Sequence, residues 1–144
     1  MIIYLDFDGT VVEHEYPKIG RCNFGCVEVL KKLQDAGHTF ILNTYRVECK
    51  DNSLEDALKW FEDSWMFFED KEGDPCITVT EHTKSKYNPP TWDWDYILSK
   101  NEMYIDDIAY GIPLKKACMV NNMMVDWDVL DKQFEEKGLY EKIK

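Results

Sequence analysis

The chain has 144 residues, of which 44% are hydrophobic and 14% aromatic, enough to build the core of one domain and too many for a disordered segment. Its formal net charge of −11 disfavours nucleic acid and anionic membrane surfaces as partners, since both are held by clustered Lys and Arg. Five cysteines without a C-x-x-C pair, and three histidines scattered at positions 14, 38 and 82, give no zinc-type spacing.

Free thiols in a reducing, cytoplasmic compartment are therefore expected. No secretory-type segment opens the chain and no stretch approaches the length of a membrane span. A single domain over residues 1–144 is expected.

In chain order, residues 2–7 form an apolar run typical of a strand buried on both faces. Residues 9–22, with Gly9, Pro17 and Gly20, read as an irregular loop or small hairpin. A helix is expected from Asn23 as cap, with Phe24, Val27, Leu30 and Leu33 at helical spacing and Gly37 at its end. A second strand follows over 39–44. Ser53 is expected to cap the next helix, with Asp56 three positions on and Leu54, Ala57, Leu58 and Phe61 inside.

Strand material is expected at 65–68 or 77–79, and a loop over 83–90. Thr91 is expected to cap a short helix through Leu98, followed by a strand over 103–105. A weaker strand is read at 117–120, and a last helix from Asp126, with Leu130 and Phe134 inward, ending at Gly138. Trp92 and Trp94 read as packing residues rather than as a stacking platform. Alternating strands and helices predict a doubly wound, mostly parallel α/β sheet without a separate cap domain.

Asp6, Asn43-Thr44 and Asp106-Asp107 all fall at carboxyl ends of predicted strands, where such sheets bind ligands. The i, i+2 spacing of Asp6 and Asp8 puts both carboxylates on one side of a continuing strand, with Phe7 turned into the core. Two like charges held close are tolerated when a divalent cation lies between them or one keeps its proton. Gly9 permits a tight turn whose amides can meet an anion. Carboxylates, a cation and an anion cradle together point to phosphoryl chemistry.

The order Asp6-Phe7-Asp8-Gly9-Thr10-Val11-Val12, then Asn43-Thr44, then a lysine-bearing loop, then Ile105-Asp106-Asp107 resembles the haloacid dehalogenase-like (HAD) superfamily of phosphatases. The continuation Glu13-His14-Glu15-Tyr16-Pro17-Lys18-Ile19-Gly20 is similar to its small capless bacterial and phage members. The resemblance implies that Asp6 is the nucleophile and Asp8 the general acid and base. Thr44 would hold a phosphoryl oxygen. Mg²⁺ would be the cofactor, bound by Asp6, Asp106, Asp107 and the backbone carbonyl of Asp8.

For the lysine that offsets charge at phosphorus, Lys86 is favoured, with Lys84 and Lys100 as alternatives. Gly9, Asn43 and Arg46 are the expected substrate contacts, Arg46 through a second anionic group. His14 and Glu15 read as a solvated loop. The presence of Asp8 favours phosphoester hydrolysis over dehalogenation. A phosphorylated small molecule is the expected substrate, and an open site suits covering by loops or a second copy of the chain. A phosphotransferase and a silent HAD-like binding protein are the alternatives. A phospho-signalling receiver domain is disfavoured, because there the phosphoacceptor aspartate comes mid-chain and the lysine last.

Overall fold

The computed structural model describes residues 1–64, 78–80 and 88–141. It is a mixed α/β structure around a small parallel sheet. Strand β1 (Ile2–Leu5) pairs in parallel with β2 (Thr39–Leu42) on one side and β4 (Glu102–Ile105) on the other, and β3 (Thr78–Val79) extends the sheet beyond β2. The spatial order is β3-β2-β1-β4. Helices α1 (Cys26–Asp35), α2 (Ser53–Ser64), α3 (Trp94–Lys100) and α4 (Trp127–Glu136) accompany the sheet, with an antiparallel hairpin of β5 (Leu114–Lys116) and β6 (Met123–Val125) before α4.

The strands form because their apolar residues alternate. Ile3, Leu5, Phe40, Leu42, Met103 and Ile105 are buried, whereas Tyr4, Ile41 and Tyr104 are only half-buried. The expectation that β1 is fully buried on both faces is thus corrected. Its second face is partly covered by Tyr4 stacking on Tyr104, ring centroids 4.3 Å apart. Register matters more for function. Leu5 lies opposite both Leu42 and Ile105, so Asp6, Asn43 and Asp106 leave the sheet at one level. The Asp6 amide donates to the Ile105 carbonyl and the Asn43 amide to the Leu5 carbonyl, carrying the pairing one residue further.

Several boundaries differ from expectation. Helix α1 starts at Cys26 with Gly25 as its N-cap, and Phe24 is exposed rather than part of the buried stripe. Asn23 instead donates from its side chain to the carbonyls of Thr10 and Val125, tying the loop after β1 to β6. Ser53 is the first helical residue of α2, and the Asp51 carboxylate accepts from its amide. Asp93, not Thr91, caps α3 by accepting from the Tyr96 amide. Residues 117–120 form no strand: the Ala117 amide donates to the Asn122 carbonyl across the tip of the β5–β6 hairpin. Expected strand material at 65–68 lies outside the described residues.

The last helix follows its prediction. Asp126 accepts from the amides of Asp128 and Val129, and Trp127, Leu130 and Phe134 are buried. Phe134 meets Trp92, Trp94 and Tyr140, and both indole N–H groups donate to Gln133 Oε1. The tryptophan pair is therefore packing material. Lys32 of α1 pairs with Asp131 of α4 at 3.1 Å. Truncating Phe134 to Ala should lower unfolding free energy by about 3–5 kcal/mol, measured by urea denaturation, because three rings lose their common partner.

Candidate active site

The strand order places β1 at the centre, with the chain moving outward to β2 and β3 before returning to β4 on the other flank. The crevice between the carboxyl ends of β1 and β4 is thus a topological switch point, where open α/β sheets take their ligands. Asp6 follows β1 and Asp106-Asp107 follow β4. Their carboxylates converge there, with one oxygen of each lying within 4.8 Å of the others. Asp6 and Asp106 are buried, and Asp107 is half-buried.

Thr10 holds this cluster, a role that sequence reasoning missed. Its hydroxyl donates to Asp6 Oδ2 at 2.9 Å and accepts from the Asp107 amide at 3.2 Å. Its carbonyl accepts from Trp127 Nε1 at 2.8 Å and from Asn23 Nδ2. The signal was available: in Asp-x-Asp-Gly-Thr, a tight turn brings the fifth residue back to the first. The Thr10, Val11 and Val12 amides all donate to the Phe7 carbonyl, which makes that turn. Asp106 Oδ1 accepts from the Ile108 amide, fixing the second loop.

Gly9 is required sterically as well as conformationally. Its φ is +81°, and a Cβ there would lie 2.4 Å from Asp107 Oδ2. Its carbonyl accepts from the Val125 amide. Gly9 is therefore what lets Asp107 approach, and it is not among the residues lining the cleft.

Asp8 does not share the cluster's point of convergence. Strand β1 ends at Leu5, so the alternation that would align Asp8 with Asp6 has given way to the turn. The Asp8 carboxylate instead receives both arms of Arg46: Nε to Oδ2 at 2.8 Å and Nη2 to Oδ1 at 2.7 Å. Arg46 is 1% exposed and also donates to the carbonyls of Pro17, Lys18 and Ser53. These bonds use all five guanidinium N–H groups, which corrects the expectation that Arg46 reaches a second anion on the substrate. Its plane is flanked by Phe7 and Tyr16, with centroids 5.0 and 5.2 Å away.

Thr44 is buried in extended conformation just past β2 and accepts from the Arg46 amide through Oγ1. It lines the cleft together with Asp6, Asp8 and Asp107. Asn43 faces elsewhere: its Oδ1 accepts from Thr80 at 3.1 Å and it does not line the cleft. Lys100 ends α3 just before β4, so it lies at the amino end of that strand, away from the carboxylates at its carboxyl end. Lys84 and Lys86 lie outside the described residues.

The cleft has a volume of about 200 Å³ and a rim of His14, Tyr16, Tyr45 and Ile108. Tyr16 donates to Asp51 at 2.7 Å, and its phenol is pushed up to about 12 by its hydrogen bonds with Cys49 and Asp51. Asp51 is held below the usual carboxylate range by hydrogen bonds from Ser53 and Tyr16. Tyr16 therefore stays a protonated donor throughout the neutral range. A larger cavity of about 320 Å³ lies between α1 and the β5–β6 hairpin, but the acidic cluster is no part of it.

Gly9→Ala should lower the unfolding free energy by about 1–3 kcal/mol in urea denaturation, because φ is +81° and the new methyl collides with Asp107.

No protein-family model matches the chain, and no curated protein matches it. In fold it is similar to a solved structure described as that of a conserved protein coded by a locus from Bacteroides thetaiotaomicron. The two share 26% identity with a TM-score of 0.57, over 95% of this chain and 91% of that one. The likeness thus runs through nearly the whole of both chains.

Proposed function

We propose that the protein is a Mg²⁺-dependent phosphomonoester hydrolase that works through an aspartyl-phosphate on Asp6, on a doubly wound core of HAD type. One observation carries this reading: three carboxylates from two adjacent parallel strand ends meet at the switch point, and two of them, Asp6 and Asp107, line a cleft shared with Asp8 and Thr44.

The donor set suits the ion. Asp6, Asp106 and Asp107 offer only oxygen, the ligand preferred by hard cations, and Mg²⁺ is bound by few carboxylates because it keeps several waters. When bound, Mg²⁺ supplies positive charge that offsets repulsion between a carboxylate nucleophile and a phosphate dianion. In the first step an Asp6 oxygen attacks phosphorus and the bond to the leaving oxygen breaks, with Asp8 giving that oxygen a proton carried on a lone pair that the Arg46 fork does not use. In the second, water attacks the aspartyl-phosphate, Asp8 takes its proton, and Asp6 is released. Thr10 keeps Asp6 aimed through both steps, and Thr44 offers its hydroxyl to a phosphoryl oxygen. Lys86 is the proposed cation for the developing charge.

A substrate of small size fits the cleft volume, and the exposed rings of Tyr16 and Tyr45 with Ile108 at the rim favour an apolar or planar leaving group. A screen of phosphomonoesters with Mg²⁺ should find turnover that EDTA removes. Asp6→Asn should abolish it, and undiminished turnover by that variant would refute the nucleophile. Asp8→Asn should lower kcat by roughly 10²–10⁴ while inorganic phosphate still binds. Lys86→Ala should lower kcat, whereas Lys100→Ala should leave it unchanged.

A further inference from the structure

We infer that Arg46 is the positioning residue of this site: it holds Asp8 through both carboxylate oxygens and fastens the loop that forms the rim above it. The inference rests on the hydrolase reading, in which Asp8 moves the proton.

The geometry is unusually complete. An arginine has five donors in a rigid planar fork, and here two meet Asp8 while three meet backbone carbonyls on two separate segments. The Pro17 and Lys18 carbonyls belong to the loop that carries His14 and Tyr16 into the cleft. The Ser53 carbonyl belongs to the first residue of α2. The Phe7 and Tyr16 rings pack against the guanidinium as well, with centroids 5.0 and 5.2 Å from its carbon. Asp8 is therefore aligned by a group that has no spare contact to offer a substrate. Turning Asp8 away would leave two buried N–H donors unsatisfied, which is costly.

The loop depends on the same residue. Gly20 lies so close to Glu13 that a Cβ would sit 1.9 Å from its carbonyl oxygen, so the two limbs of the loop touch at their base. Between these limbs the loop is gripped by Arg46 at 17 and 18 and by the Tyr16–Asp51 hydrogen bond. Orientation of the proton carrier and the shape of the rim thus share one anchor.

The test is Arg46→Lys, which keeps the charge and loses the fork. In the folded variant kcat should fall about 10²-fold, the size of effect expected from a small misplacement of a reacting group. KM should stay within about threefold and Mg²⁺ affinity should be unchanged, since all five Arg46 N–H groups go to Asp8 and to backbone carbonyls. A kcat equal to that of the parent protein, or a loss of Mg²⁺ affinity in step with kcat, would overturn the proposal in favour of a merely structural role.

Should the variant not fold, the parent protein decides. Its two arginines are Arg46 and the exposed Arg21, so their side-chain Nε–H resonances are simple to tell apart. The Arg46 Nε–H should exchange with water far more slowly than that of Arg21 and shift when orthovanadate is added with Mg²⁺. Exchange as fast as Arg21 overturns the proposal whatever the activity. A parent protein inert toward every phosphomonoester overturns the hydrolase reading itself.

Discussion

Like charges brought together are the constraint around which this molecule is arranged. Carboxylate oxygens of Asp6, Asp106 and Asp107 lie within 4.8 Å of one another, a separation at which two ionised groups repel by roughly 3–4 kcal/mol at an effective dielectric near 20. Nothing in local sequence preference produces such a cluster. It follows from parallel pairing of β1 with β4 in a register that sets Leu5 beside Ile105, so the next residue of each strand emerges at one height. Thr10, Gly9 and the Ile108 amide then fix the side chains. Such repulsion is relieved by a divalent cation among the oxygens or by a proton that one carboxyl keeps.

The site is organised in two halves. On one side are the three carboxylates, governed by Thr10. On the other are Asp8 and the rim loop, governed by Arg46. Each half has a buried organiser that itself makes no chemistry, and each organiser is supported by a large aromatic. Trp127 donates to the Thr10 carbonyl, and Phe7, packed edge-on against Trp60 and Phe61 of α2, lies under the guanidinium. Precision at the cleft is thereby tied to the hydrophobic core rather than to the exposed loops.

How much of this could be read from the chain depended on distance along it. The strands at 2–5, 39–42 and 102–105 and the helix after Asp126 were legible, because apolar alternation and caps are local signals. Asp6, Thr44 and Asp106 were placed correctly at strand ends for the same reason. Partners far apart were not legible. Arg46 suggested an anion contact from its position after Thr44, and only the fold brings it to Asp8, 38 residues earlier. Asp8 itself was misplaced because the period of two was extended past the point where the strand stops. The Asn23 and Trp127 contacts to the Thr10 carbonyl span 13 and 117 residues, so no spacing rule reveals them. The β5–β6 hairpin was missed because its pattern is short and its outer residues are exposed.

The bonds from Val125 to Gly9 and from Trp127 to Thr10 carry one more implication. Closing so long a span is entropically slow, and such contacts form late. During synthesis the loop after β1 would wait, without these two bonds, until more than a hundred further residues had left the ribosome. The loop that orients the carboxylates is thus completed late, when the hairpin and its helix dock against it.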